Sequence, residues 1–394
     1  MTEANSMSKP PDVIRILHTA DWHLGRSFHE ASLSGFHKMF FDWLFEQITE
    51  LEVDAVLMAG DIFDRAVPPV RAVEMLNREL ARLSELTPVI LIAGNHDSVA
   101  RMGHGPLLKD GIHLFSGTAS VGQPVTIDGG PFPLAIYSIP YLDPITLGPE
   151  IEADSLDHQG VINAAVARCL ADLEDQPDGT RAVAIGHAFV RGATVSDSER
   201  SIAVGGAAEV ETTSFDGFDY VALGHLHRPQ QIDGDRIRYS GSPIHLSYSE
   251  VGPEKSVTIV DLFANGKIAI DTPLIPQLHR VRKISGTLHE LLTDDRFDEN
   301  QEDWLEIELT DEQRPDQPME RLRKRFENVM TLKFSAPLVD VDSYGDGSQP
   351  LEEIEPIELI RRFVEHVRGE GPDPDEEKLL IEALESATAK DVNG

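Results

Sequence analysis

Ala55-Val56-Leu57-Met58-Ala59-Gly60-Asp61-Ile62-Phe63-Asp64 runs from an apolar, strand-like stretch straight into a polar turn. A short continuous apolar run is the pattern of a strand buried on both faces. The same grammar recurs four more times. Val13-Ile14-Arg15-Ile16-Leu17 precedes Asp21-Trp22-His23, and Val89-Ile90-Leu91-Ile92 precedes Gly94-Asn95-His96-Asp97. Ala182-Val183-Ala184-Ile185 precedes Gly186-His187, and Tyr220-Val221-Ala222-Leu223 precedes Gly224-His225-Leu226-His227. In open α/β sheets ligands bind beyond the carboxyl ends of the strands, so five strand ends offer their first polar residues to one crevice. Ordinary strand-to-loop turns are also rich in Gly, Asp and Asn, and any one block could be no more than that. The ordered set says otherwise. It supplies two carboxylates, one amide oxygen and four imidazoles, the ligand list of a dinuclear metal site with one shared carboxylate. Such a site clamps a phosphoryl group.

Composition bounds the rest. The 394 residues are enough for two or three domains. No apolar run approaches the ~20 residues of a membrane span, and Met1–Asp12 carries no apolar stretch of the signal-peptide kind. The single cysteine, Cys169, cannot form an internal disulfide and reads as a buried small apolar residue of a helix. These features place the chain in the cytoplasm, with no membrane contact. The net charge is 34 − 68 = −34, and the last fifty residues hold 14 acids against 5 bases. A surface that binds nucleic acid usually announces itself as basic, so this chain alone is expected to bind duplex DNA poorly and to depend on a partner or on divalent cations.

Along the chain, Phe40, Phe41, Leu44, Phe45 and Ile48 share a helical face within Phe36–Leu51, as do Val73, Leu76, Leu80 and Leu83 within Val70–Leu86. After His227 the pattern turns to strands. Pro273-Leu274-Ile275-Pro276 marks a boundary, followed by strand patterns at Arg280–Ser285, Trp304–Leu309 and Val329–Phe334 and a helix at Met319–Phe326. That helix carries Arg321, Arg323, Lys324 and Arg325, a dense basic cluster in an acidic chain and equally readable as a solvated face. Asp340–Glu353 reads as a linker. Beyond it, Pro356 and Gly369 sit at the two ends of a helix whose Ile360, Phe363, Val364 and Val367 form one apolar face. A second helix opens at Asp373-Pro374-Asp375-Glu376 and carries Leu380, Ile381 and Leu384 on one side. Two such helices bury little alone; they either fold back on the rest of the chain or dock in a groove of another protein.

The blocks together resemble the calcineurin-like metallophosphoesterases and, within them, the SbcD-type nuclease subunits of double-strand-break repair. Ile16-Leu17-His18-Thr19-Ala20-Asp21-Trp22-His23-Leu24-Gly25, Gly60-Asp61-Ile62-Phe63-Asp64 and Tyr239-Ser240-Gly241-Ser242-Pro243 carry the finer likeness. The resemblance implies a mixed α/β fold (α+β overall), a two-sheet β-sandwich flanked by helices over residues 13–273. It also implies a small α+β capping domain at 277–338, a linker at 339–355 and a partner-binding helical tail at 356–386. It implies Asp61 as the bridge between two divalent cations, Mn²⁺ by the habit of the subfamily. Asp21, His23, Asp61 and His227 would hold one metal, and Asp61, Asn95, His187 and His225 the other. His96 would act as general acid or charge stabiliser, with Asp97 orienting its ring or capping a helix that starts at Ser98. Asp64 stands where archaeal relatives often have a second histidine. Arg65, Arg101, Arg191 and Arg228 flank the blocks as candidate phosphate contacts, with the four basic residues of the 319–326 helix as candidate DNA contacts. The expected partners are DNA, a second copy of the chain, and an SbcC-type ABC/SMC-like ATPase gripped by the tail in a heterotetramer. The implied activity is ATP-stimulated duplex exonuclease and single-strand or hairpin endonuclease action in repair and recombination.

Three other readings compete. A stand-alone phosphatase or phosphodiesterase would share the metal site, but such enzymes usually stop near the end of the catalytic domain. Another bacterial repair exonuclease of the same superfamily is a neighbouring possibility. An inactive phosphoesterase fold serving as a scaffold is opposed by the presence of all seven ligands and His96.

Overall fold

The apolar runs pair as strands of two six-stranded sheets. The computed structural model describes residues 9–98, 110–127, 130–196, 199, 209–335, 356–369 and 371–391. In the first sheet the order is β16 (Ile268–Asp271), β15 (Thr258–Phe263), β1 (Val13–Thr19), β4 (Ala55–Ala59), β5 (Val89–Ile92) and β6 (Ile112–Phe115). The second runs β13 (Gln230–Asp233), β14 (Ile237–Tyr239), β12 (Tyr220–Gly224), β9 (Arg181–His187), β8 (Leu134–Ile139) and β7 (Val125–Ile127). Strands β1, β4, β5 and β6 are mutually parallel, as are β8, β9, β12 and β14. The five block-bearing strands are therefore in the parallel parts of the sheets, where carboxyl ends line up.

Side-chain alternation divides each strand between two cores. Ile14, Ile16, Leu57, Ile90 and Ile92 point inward and meet Ile136, Val183, Ile185, Tyr220 and Ala222 of the facing sheet. The alternate residues Leu17, Val56, Met58 and Leu91 pack under α1 (Ser34–Glu50) and α2 (Val70–Leu83), against Phe40, Phe41, Leu44, Leu76 and Leu80. On the second sheet Tyr137, Ala184, Val221 and Leu223 pack under the helix that comes after the short α3 (Pro144–Leu147). This is α4 (His158–Glu174), and it contributes Val161, Ala165, Val166 and the buried Cys169. Burial on both faces is why these strands are mostly apolar, with Arg15 and His18 of β1 among the few buried exceptions. Each large aliphatic side chain so buried contributes about 1.5–3 kcal/mol.

The residues after Pro276 add a parallel three-stranded sheet of β17 (Val281–Gly286), β18 (Trp304–Leu309) and β19 (Asn328–Phe334). One of its faces is covered by α5 (Leu288–Thr293) and α6 (Pro318–Leu322), through Leu291 and Leu322, together with Phe297 and Phe326 from the segments that come after each helix. A ribbon of β2 (Ser27–Phe28) and β3 (Ala31–Ser32) joins this cap to the sandwich. Trp304 stands 5.3 Å from Phe28 and 4.8 Å from Phe36 between ring centres. A second ribbon pairs β10 (Phe189–Val190) with β11 (Glu209–Val210).

The helix expected over Met319–Phe326 ends at Leu322. Phe326 must enter the cap core, where it is fully buried. Arg325 donates to the carbonyls of Leu291, at 2.9 Å, and Asp294, at 2.8 Å. It thereby closes the carboxyl end of α5, which a continued helix would prevent.

The chain divides into two units, one ending at Phe334 and the other starting at Ser335. In the second, α7 (Pro356–Arg368) stops at Gly369, whose φ of +80° ends the helix, and α8 (Pro374–Asp391) comes next. Glu376 N–H donates to Asp373 Oδ1 at 2.9 Å and Asp373 N–H to Glu376 Oε2 at 3.1 Å, a reciprocal cap. Arg368 ties the helices together through Glu376 at 2.7 Å. Ile360, Val364, Leu380 and Leu384 are half-buried and Ile381 is exposed. The side chains of Phe363 and Val367 lie outside the described residues. Among the described residues no helix is long and apolar enough to cross a membrane.

Candidate metal centre

The turns after β1, β4, β5, β9 and β12 meet in one pocket of buried ligand atoms. Asp21 leaves β1 with its N–H bonded to Gly60 O at 3.0 Å, and His23 N–H bonds Asp61 O at 3.0 Å, so the first two turns are laced together. Four residues of the pocket hold positive φ: Asp21 (+53°), His23 (+46°), Asp61 (+50°) and His225 (+102°). Such conformations cost about 1–3 kcal/mol each and persist where the surroundings fix them. The glycines of the blocks have a steric reason. A Cβ on Gly60, whose φ is +86°, would stand 2.3 Å from His187 Nδ1, and one on Gly94 would stand 2.2 Å from Asp61 Oδ1.

Two groups of potential ligands converge: Asp21, His23 and His227, and Asp21, Asp61 and His187. All five are buried. Asp21 is common to both groups, and Asp61 Oδ2 of the second lies 3.6 Å from His187 Nε2 and reaches within 3.7 Å of His23 Nε2 in the first. Asn95 Oδ1 is 3.0 Å from His187 Nε2 and 3.2 Å from His225 Nδ1. His225 N–H in turn donates to Asp21 Oδ1 at 3.0 Å. All seven sequence-predicted ligands are thus in one place.

The donor set fits cations. His227 Nδ1 donates to Glu250 Oε1 at 3.2 Å, which leaves its Nε2 lone pair facing His23 Nε2 at 3.1 Å. His187 Nδ1 donates to Ala59 O at 2.8 Å, which turns its Nε2 lone pair on Asn95 and Asp61 oxygens. Lone pairs facing lone pairs need positive charge between them. In the absence of a cation, a proton at His187 meets the same demand. Burial opposes charge on His187, but the Asp61 and Asp21 carboxylates outweigh it and push the ring up to about 9. Burial raises Asp21 to about 7 against the pull of His187 and His227. Asp61 is also penalised by burial, yet His187 and His23 hold it well below the usual carboxylate range. Burial, helped by His187, drops His225 to about 3 and keeps it neutral, as a ligand imidazole must be.

His96 is half-buried with its ring centre 4.9 Å from that of His23. Its N–H bonds Asp61 Oδ1 at 2.9 Å, and its Nδ1 bonds the Asp64 carbonyl at 2.8 Å. The expectation that Asp97 orients this ring is corrected. The Asp97 carboxylate instead accepts three backbone N–H groups, Gly94 at 2.9 Å, Phe63 at 3.0 Å and Ile62 at 3.1 Å. It pins the second and third blocks to each other, and the backbone of Asp64 holds the ring. Burial and then the neighbouring Asp61 charge raise Asp97 to about 7 despite those bonds.

The arginines divide. Arg228 is half-buried and bonds Ser249 O through Nη2, with its Nε buried and unpartnered among the described residues. Arg65 is exposed, and Arg191 is neutralised by Glu209 and Glu211 on the surface. Arg101 lies outside the described residues. Of the cap cluster, Arg325 is structural, Arg323 bonds Val329 O at 3.4 Å, Lys324 pairs with Glu320 at 3.5 Å and Arg321 is exposed. The cluster does not lie on one helix, since only Arg321 of the four is within α6.

Sequence reasoning missed the support behind His227. Glu250 Oε2 meets Lys255 Nζ at 2.7 Å, and that ammonium also donates to His227 O and Ser242 Oγ, both at 2.8 Å. Both charges are buried and fully engaged. Glu199 adds a carboxylate 2.7 Å from His227 N. Only Ser242, in the Tyr239–Pro243 block, carried a sequence signal.

Residues 14–229 match the family model of the calcineurin-like phosphoesterases, more than half of the chain. The chain belongs to the calcineurin-like phosphoesterase family. Residues 277–368 match a second model, SbcD_C, described as a type 5 capsule protein repressor C-terminal domain. This match covers the cap and extends through α7. The order of the two is that of an SbcD nuclease architecture. A calcineurin-like phosphoesterase is a metal-dependent phosphoester hydrolase, and the buried carboxylate–imidazole groups are where this chain can hold divalent metal.

Proposed function

We propose that this phosphoesterase is the nuclease subunit of a DNA-repair complex, cleaving DNA phosphodiesters with two Mn²⁺ ions. The observation that carries the reading is the pairing of the convergent ligand cluster with an SbcD_C match in the same chain. Asp21, His23 and His227 take one ion, Asn95, His187 and His225 the other, and Asp61 spans both. Bound there, the ions supply Lewis acidity and a nucleophile at neutral pH. Imidazole, amide and carboxylate donors suit Mn²⁺ better than Mg²⁺.

The protein's own groups do the rest. With Nδ1–H held by the Asp64 carbonyl, the His96 ring is fixed at the rim and presents Nε2. With a proton also on Nε2, the ring can give that Nε2 proton to the departing 3′ or 5′ oxygen and keep its Nδ1–H. Arg228, beside the last block and with an Nε that has no partner among the described residues, is the arginine assigned here to a phosphate oxygen. The tail helices α7 and α8 dock on the SbcC-type ATPase, and the chain works as a homodimer within that assembly. The acidity of the chain leaves much of the attraction for duplex DNA to the partner and the cations.

The test is cleavage of end-labelled linear duplex, hairpin and single-stranded DNA with Mn²⁺, with and without the ATPase. Shortening of duplex that rises with partner and ATP supports the reading. Hydrolysis of bis-p-nitrophenyl phosphate with no cleavage of any DNA would favour a stand-alone phosphodiesterase.

A further inference from the structure

A cleft of about 370 Å³ opens between the β2–β3 ribbon, the segment Leu246–Ser249 and the β17–β19 sheet of the cap. Its walls include Arg26, His29, Tyr248, Lys283, Lys333 and Glu306. Three cations against one carboxylate reverse the sign of a chain whose net charge is −34. Glu306 draws the two lysines together, 3.6 Å from Lys283 Nζ and 2.8 Å from Lys333 Nζ. The lysine side chains remain 49% and 58% exposed, so their ammonium groups are open to a ligand from the solvent side. Tyr248 is 6% exposed, and its hydroxyl is buried with no hydrogen-bond partner among the described residues. A buried, unsatisfied hydroxyl in the wall of a cationic cleft points to an absent acceptor.

The cleft is joined to the metal centre. Arg26 Nη1 donates to Asp64 Oδ1 at 3.0 Å, and the Asp64 carbonyl holds the His96 ring at 2.8 Å. The volume is at the low end of the roughly 300–1,000 Å³ of small-molecule pockets, enough for one nucleotide and far too small for a duplex. The exposed His29 ring, tilted 41° to Tyr248 with centres 5.6 Å apart, offers a face for a base.

We infer that this cleft seats one nucleotide of the substrate strand flanking the scissile bond. Its phosphate lies between Lys283 and Lys333, and the Tyr248 hydroxyl donates to a phosphate oxygen. The inference rests on the nuclease reading. It assigns strand recognition to the junction of cap and ribbon, away from the basic cluster around α6.

Tyr248→Phe and the double variant Lys283→Gln/Lys333→Gln are to be compared with the full-length wild type loaded with Mn²⁺. Affinity and KM are measured on a labelled single-stranded oligonucleotide, and hydrolysis is measured on bis-p-nitrophenyl phosphate. Tyr248→Phe removes a hydroxyl with no partner among the described residues, so it keeps the unfolding midpoint. It should raise KM for the oligonucleotide roughly tenfold, with kcat and small-ester hydrolysis little changed. The lysine variant should raise it further and flatten the salt dependence of binding. Oligonucleotide binding and KM equal to wild type in both variants would overturn the cleft while leaving the nuclease reading intact. A wild type that hydrolyses the small ester but neither binds nor cleaves any oligonucleotide would overturn both.

Discussion

His96 and Asp61 separate two jobs that the sequence blocks print side by side. His96 touches the cluster only by its ring edge and by a backbone bond to Asp61, so His96→Ala should keep bound metal and lose nearly all cleavage. Asp61 reaches both ligand groups, and Asp61→Ala should lose metal and activity together; metal analysis beside a cleavage assay checks both. A His96→Ala protein with wild-type Mn²⁺-dependent cleavage would remove that residue from the chemistry. The Glu250–Lys255 pair behind His227 allows a second prediction. Burial penalises the Glu250 carboxylate, but Lys255 and His227 hold it well below the usual range. Glu250→Gln should weaken Mn²⁺ binding by roughly 10–100-fold, the usual effect of losing a carboxylate that orients a ligand histidine. Lys255→Met should cost about 3–5 kcal/mol of stability, since it leaves that carboxylate buried without its lysine countercharge; urea unfolding of the metal-free protein measures it. The convergence of the seven candidate ligands was legible because each comes at the end of a strand and its residue type is one that coordination chemistry favours. Glu250 and Lys255 were not, because their role exists only once β14, β15 and the turn between them bring them under His227. Asp97 was misassigned for a related reason. Its neighbour in sequence is His96, but its partners in space are N–H groups of the second and third blocks.

At the scale of elements, hydrophobic patterning identified the five block-bearing strands and the helices α1 and α2, since burial on two faces or on one stripe writes itself into the residues, while β6, β7, β8 and β13 went unread. It failed where an element is ended by tertiary demand. The helix α6 stops at Leu322 because Phe326 is taken by the cap core and Arg325 by the end of α5. The ribbon of β2 and β3, two residues each, is too short to show a period at all, yet it carries the Phe28 contact between sandwich and cap. The tail keeps more closely to its sequence signals. Gly369 and the Asp373–Glu376 cap lie where the pattern put the helix ends. Because residues from Ser335 onward form a separate unit, deletion after about residue 345 should leave a folded, metal-loaded phosphoesterase. That protein should no longer co-purify with the ATPase, and ATP-stimulated duplex degradation should vanish while small-ester hydrolysis survives. Unchanged complex formation by the truncated protein would refute the docking role.

For the molecule as a whole, two opposed responses to acid are expected. Protonating carboxylates relieves repulsion in a chain of net charge −34. Buried neutral histidines work the other way. His18 accepts from Tyr220 Oη at 2.9 Å and donates to Leu223 O at 3.1 Å, and burial lowers it to about 3. In the unfolded chain such a ring titrates near 6.5. The stability it contributes is therefore complete above pH ~6.5 and is lost as pH falls from there toward 3. His18→Gln keeps a donor and an acceptor but cannot titrate. The slope of unfolding free energy between pH 6.5 and 5 should change by up to one proton, about 1.4 kcal/mol per pH unit; an unchanged slope would mean that His18 is charged in the folded state. The fold class was readable from the alternation of strands and helices, and the centre from five turns. The face-to-face closure that unites turns from two different sheets was implied by the family resemblance, not by the pattern of the residues themselves, and the structure has it. That closure brings together the candidate ligands spread from Asp21 to His227, and the proposed dinuclear centre is most directly tested by titrating the metal-free protein with Mn²⁺ under electron paramagnetic resonance. Two ions should bind per chain, with a spin-coupled signal that Asp61→Ala abolishes. A single uncoupled ion at saturation, or coupling that survives Asp61→Ala, would contradict a centre bridged by that carboxylate.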